Sequence, residues 1–305
     1  MVKKSYFSQI TSIEINGLKG RILNLVPPKY NDREILLLYG HHSSIERMSG
    51  IAENLNDFGR VTIPDLPGFG GMDSFYNIGL KPTVDNYADY LATLIKLKFK
   101  NKKFTIISMS YSFLIVTKML QKYPDIAKKV DLVVSSVGFV HSDDFRLPKY
   151  QILGLKTLSL TLQYNPFAYL AKHTIFSGPA VKAFYRYIGV KHSKMQDAGN
   201  EKVRDKRINS EVVLWEINDV RTRMKTMFDG FSADLLDKQV NLPVHHVYVE
   251  NDRFFNNRIV EQHMRIIYKD FIGIKTDIVG HMPSIVATKE DADVFIPKEL
   301  KKLLK

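Results

Sequence analysis

The sequence predicts an α/β fold: a mainly parallel eight-stranded sheet flanked by helices, with a helical cap inserted into it. Two observations carry this. Short apolar runs alternate with amphipathic stretches along most of the chain, the rhythm of strand and crossover helix. One interval, residues 142–236, breaks that rhythm: it is helical in character, with breaks at Pro148, Pro166, Gly178-Pro179 and Gly199-Asn200. With 305 residues and 45% apolar content, the chain is long enough to bury a full core. The expected organisation is a core from 1–141 and 237–305, with the cap at 142–236 between them.

The elements follow in order. Ile10 to Ile15 and Gly20 to Val26 flank the turn-like pair Asn16-Gly17 and read as an antiparallel hairpin at the sheet edge. Ile35 to Tyr39 is apolar on both faces, as a central parallel strand should be. Further strands are expected at Val61 to Ile63, Phe104 to Ile107, Leu132 to Val134, Val244 to Val249 and Ile274 to Val279. Between them, Val84 to Lys98, Phe113 to Lys122 and Arg258 to Tyr268 have helical apolar spacing. Within the cap, aromatics such as Tyr164, Phe167, Tyr169, Phe176 and Trp215 are expected to line a pocket or to form core.

Composition removes several classes of function. Lys and Arg number 44 against 32 Asp and Glu, a net charge of +12 that favours anionic partners or membrane faces. No nucleic-acid motif accompanies it, and much of the excess sits in solvated runs such as Lys96 to Lys103 and Lys298 to Lys305; a weak attraction to membrane surfaces is the most it implies. With no cysteine, disulfides and thiolate zinc sites are excluded. Met1 to Gln9 lacks the apolar run of a signal peptide, and no stretch approaches the roughly 18 apolar residues of a spanning helix, so a cytoplasmic location is expected.

The chemistry concentrates just beyond strand ends. Ser108-Met109-Ser110-Tyr111-Ser112 lies between a strand and a helix, the context of a nucleophile elbow with Ser110 at its apex. Taken alone, the same serines also fit a helix N-cap. Gly40-His41-His42 follows the strand at Ile35 to Tyr39, where open α/β sheets place ligands; the backbone N–H groups of His41 and Tyr111 are the candidate oxyanion donors. The adjacent histidines have no carboxylate at ligand spacing, so no metal is expected. The turn Asp65-Leu66-Pro67-Gly68-Phe69-Gly70 would let backbone approach the same place. Asp252 stands just past the strand Val244 to Val249, and His281 comes 29 residues later, past the strand Ile274 to Val279. Serine, acid and histidine therefore occur in that chain order at three strand ends. Asp143 and Asp144 are an alternative location for the acid.

Outside the cap, these pieces resemble the α/β-hydrolase superfamily: Tyr39-Gly40-His41, Asp65 to Gly70, Ser108 to Ser112, Glu250-Asn251-Asp252 and Gly280-His281-Met282-Pro283. The most similar members carry His-Gly where this chain has Tyr39-Gly40, and glycine where it has Ser108, Ser112 and Val249. The resemblance implies acyl transfer to Ser110, with His281 as base and Asp252 stabilising the imidazolium, and no cofactor. The apolar cap and the absence of an obvious charge-binding motif favour a small or medium apolar ester as substrate. A thioester, a carbon–carbon bond in a diketone, or a catalytically weak relative that only binds its ligand are the alternatives. An aspartate-nucleophile chemistry is disfavoured by Ser110.

Overall fold

The computed structural model describes residues 6–100, 102–188, 201–276 and 289–305. β1 (Ile10–Ile15) and β2 (Leu18–Leu25) form the hairpin, turned by Asn16 and Gly17, both at positive φ. There follow β3 (Glu34–Leu38), β4 (Arg60–Pro64), β5 (Phe104–Met109), β6 (Val130–Ser136), β7 (Val240–Val249) and β8 (Tyr268–Thr276). The sheet has eight strands in the order β1-β2-β4-β3-β5-β6-β7-β8. Pairings involving β1 and β2 are antiparallel, and all the others are parallel. Every residue of β3 and β5 is buried, because helices cover both faces of these central strands. The parallel strands all point their carboxyl ends to one edge, so whatever follows β3, β5, β7 and β8 shares that edge.

The helices α1 (Ser49–Leu55), α2 (Val84–Lys98) and α3 (Tyr111–Lys122) belong to the sheet layers. Thr83 starts α2 by accepting a hydrogen bond from Asn86 N–H at 3.2 Å, and α2 and α3 pack together. Between β6 and β7 the described residues contain only helices: α4 (Lys149–Thr161), α5 (Asn165–His173), α6 (Gly178–Ala183), α7 (Glu201–Ile217) and α8 (Val220–Gly230). They have a small apolar core of their own, built around Leu162, Val181, Tyr185, Ile208 and Trp215. His141 and Asp234 form an isolated antiparallel bridge, and Ser142 N–H donates to Ala233 O at 2.7 Å. The chain thus leaves and rejoins the sheet at one point.

Three expectations need correction. The helix expected to run to Tyr268 is α9 (Asn257–Ile267); Tyr268 instead opens β8, which begins earlier than Ile274. Its ring is buried against Phe113 at 5.8 Å and its hydroxyl bonds Thr117, so the side chain is anchored to α3 and the helix cannot continue through it. β7 likewise begins at Val240, with a register shift between Val240 and Pro243, whose missing N–H breaks the ladder. The aromatics of the inserted segment divide. Phe176 and Trp215 stack at 3.9 Å in its small core, whereas Tyr164, Phe167 and Tyr169 are exposed. Residues 277–279, expected to complete β8, lie outside the described residues. No described helix is long and apolar enough to cross a membrane.

Candidate active site

Ser110 sits at the junction of β5 and α3 with φ 47° and ψ −119°, a conformation that side-chain-bearing residues rarely adopt. An N-capping serine would have extended backbone and accept a first-turn N–H on its hydroxyl; Ser110 does neither. Phe113 N–H instead bonds the Ser110 carbonyl at 3.0 Å, and Ser110 N–H is tied to Ser136 O at 3.0 Å. The N-cap reading therefore fails on geometry. Ser108, Met109, Tyr111 and Ser112 are all buried, and Ser110 alone of the five keeps access to solvent. Non-glycine residues at positive φ follow three neighbouring strands: His42 after β3, Ser110 after β5 and Val137 after β6. Such strain persists only where surrounding structure enforces it, and it gathers here at the carboxyl edge.

The two serines that stand where glycine is usual behave differently. Ser112 Oγ accepts from Met109 N–H at 2.9 Å, with the carbonyls of Met109 (2.9 Å) and Leu38 (3.3 Å) as acceptors for its own proton, so it fastens the turn to β3. Ser108 Oγ is fully buried and has no hydrogen-bond partner among the described residues. Gly40 lies close for a different reason: a Cβ there would stand 3.3 Å from Ser110 Cβ and 3.4 Å from Met109 O, a tight fit. The loop after β3 thereby lies directly against the elbow.

That loop is pinned by the inserted segment. His41 Nε2 lies 3.1 Å from Arg223 O and 2.9 Å from Thr226 Oγ1; the carbonyl only accepts, so Nε2 carries the proton. His42 Nδ1 accepts from Asn218 Nδ2 at 3.0 Å, while Asn218 Oδ1 accepts from Gly70 N–H at 2.8 Å. One asparagine from beyond α7 therefore joins the loop after β3 to the Pro-Gly turn after β4. The histidines are engaged in these contacts, and among the described residues no group of three potential metal ligands occurs.

Tyr39, at the site of a usual histidine, makes a replacement network. Its hydroxyl donates to Asp65 Oδ1 at 3.0 Å and accepts from Leu66 N–H at 2.7 Å. Asp65 is wholly buried and also takes Ile45 N–H and the Arg21 guanidinium, which in turn reaches Glu46. The sequence offered no signal for Arg21, Asn218 or Tyr39 in these roles beyond their polarity; each partner lies far away in the chain.

Asp252 follows β7 and is buried. Its Oδ1 accepts from Phe254 N–H at 2.8 Å and Phe255 N–H at 3.1 Å, a local turn that fixes the carboxylate, and Arg146 Nη1 holds its carbonyl at 2.8 Å. The other acid location is differently engaged. Asp144 is buried with Oδ2 accepting from Val140 and His141 N–H and Oδ1 2.6 Å from His263 Nδ1 of α9, while Asp143 is exposed. Next to Asp252, His246 is buried on β7 with Nδ1 2.9 Å from Ser135 Oγ, and burial pushes its pKa down to about 4. His281 lies outside the described residues, five positions past the end of β8.

A comparison with protein-family models and with curated proteins finds no match. Among solved structures, the chain is similar to an α/β-hydrolase enzyme from a Medee basin deep-sea metagenome library, with 14% identity, TM-score 0.65 and 96% and 95% of the two chains covered. This is the α/β-hydrolase fold. A thermophilic esterase from Thermogutta terrifontis (15% identity, TM-score 0.59, 97% of each chain) and a laboratory-evolved potato epoxide hydrolase (15%, 0.65, 97% of each) have it too. Proteins with this fold thus carry different chemistries, so the reaction must be argued from the site.

Proposed function

We propose that the chain is a serine hydrolase that cleaves a small or medium apolar carboxylic ester through an acyl-enzyme on Ser110. The observation that carries this is the backbone of Ser110: φ 47°, ψ −119°, at a strand-to-helix junction, with Gly40 packed against its Cβ. Ser110 Oγ attacks the ester carbonyl carbon and its proton passes to His281; the imidazolium returns it to the departing alcohol, and water then releases the acid by the same route. The oxyanion is held by the N–H groups of His41 and Tyr111, the latter in the first turn of α3, where amides have no intrahelical acceptor.

Asp252 supports His281 in this reading. Strands β5 and β7 are separated by β6, so Ser110 and Asp252 stand about two inter-strand spacings apart, roughly 10 Å, too far to touch. His281, which follows β8 in the sequence, is assigned the place between them in this proposal. Asp144 is the weaker choice because His263 and two amides already occupy its carboxylate. Residues 142–236 act as the cap, a role supported by the bonds of Thr226, Arg223 and Asn218 to the loops beside Ser110. The test is a panel of p-nitrophenyl esters of graded chain length: wild type should hydrolyse the shorter members and Ser110→Ala none. Turnover retained in Ser110→Ala would refute the assignment.

A further inference from the structure

The exposed side chains of α4 to α6 are used by nothing in the proposed reaction. Of the 21 large apolar side chains exposed on the described residues, 11 fall between Tyr150 and Tyr187. Tyr150, Leu153, Tyr164, Phe167, Leu170 and Tyr187 are each 52–76% exposed. Single exposed apolar residues are ordinary on a protein surface, but this density on consecutive short helices is not.

The charges of the same stretch all have one sign. Between Asp144 and Asp197 the sequence contains no Asp or Glu, and Lys149, Lys172 and Lys182 stand exposed among the apolar side chains. A second copy of this chain fits these helices poorly, since a two-fold contact would bring Lys149, Lys172 and Lys182 toward their own copies with no acid from the same stretch to pair them. An anionic lipid surface complements both properties: ammonium groups meet phosphates, and tyrosine rings with leucine and phenylalanine enter the boundary between headgroup and acyl chain. Helices of 13, 9 and 6 residues are too short to span a bilayer of about 20 helical residues' thickness and would lie in its plane.

We propose that the face formed by residues 149–187 docks the protein on a bilayer carrying anionic lipids. The proposal does not rest on the assignment of Ser110. Its test is co-sedimentation with vesicles of phosphatidylcholine alone and of phosphatidylcholine mixed with phosphatidylglycerol, at low and high salt. Wild type should bind the mixed vesicles, and more weakly as salt rises. The triple variant Lys149→Glu/Lys172→Glu/Lys182→Glu should lose on the order of tenfold in partitioning. Tyr164→Ser/Phe167→Ser/Leu170→Ser should lose binding at both salt levels. The equal charge reversal Lys98→Glu/Lys128→Glu/Lys302→Glu, on other surfaces, should change it by less than about twofold, with circular dichroism confirming the fold of all three. No binding by wild type, equal loss in the remote variant, or full binding by the serine variant would each overturn the proposal. So would a wild-type dimer that the serine variant dissociates while vesicles go unbound.

Discussion

At Ser110 a single residue holds an unfavourable backbone so that its hydroxyl stands clear of the elbow. A non-glycine residue in such a region costs on the order of 1–3 kcal/mol, and glycine removes most of that cost. Ser110→Gly is therefore expected to abolish ester hydrolysis while raising stability by about 1 kcal/mol, read as a higher urea midpoint with unchanged slope. A lower midpoint would show that the serine side chain is a structural support rather than a strained functional group. Asp252 and Asp144 can be separated in the same manner. Asp252→Asn should cost on the order of 10⁴ in turnover with little loss of fold, through the wrong histidine tautomer and the missing charge. Asp144→Asn should do the opposite, keeping turnover but losing about 1–3 kcal/mol, because its carboxylate is buried against His263 and two amides. Collapse of turnover in Asp144→Asn alone would move the acid to the end of β6.

At the level of elements, strands buried on both faces were legible because their residues are continuously apolar: Ile35 to Tyr39 and Phe104 to Ile107 lie in β3 and β5 or at their ends. The α2 helix was legible to its last residue through its helical apolar spacing. The start of β8 was not, since edge residues such as Lys269 and Asp270 are exposed and leave no apolar run, and the partners that fix Tyr268, namely Val240, Phe113 and Thr117, lie far away in the chain. The same limit applies to the site. Ser110 could be picked out by its context together with the loop after β3 and the acid and histidine past two other strands, and its backbone angle argues independently against the N-cap. The stitching by Asn218 spans residues far apart in sequence and was invisible there. For the inserted helices, the expectation is that the segment, held beside the Ser110 loops by Asn218, Arg223 and Thr226, controls acyl-chain preference, at about 0.8 kcal/mol per methylene buried. Exchanging residues 142–236 for the corresponding segment of another α/β-hydrolase should shift the chain-length profile; an unchanged profile in a folded, active chimera would remove the segment from substrate selection.

Across the whole molecule, one buried histidine ties stability to pH. His246 has a folded pKa near 4 against about 6.5 for the unfolded chain, so the unfolded state binds more protons between those values. Stability is then full above about pH 6.5 and falls as pH drops toward 4, by about 3 kcal/mol from this group. Urea unfolding of wild type and His246→Asn at pH 7.5 and pH 4 should show that much less acid loss in the variant; parallel losses would assign the acid limb to other groups. The central claim, however, is chemical: this fold presents Ser110 as an activated nucleophile. It is tested most directly by treating the protein with a fluorophosphonate and sequencing the modified tryptic peptide, residues 104–118, by fragmentation. The predicted result is a single phosphonate on Ser110, absent from Ser110→Ala. An unlabelled protein, or a label on Ser108, Ser112 or a residue outside that peptide, would contradict it.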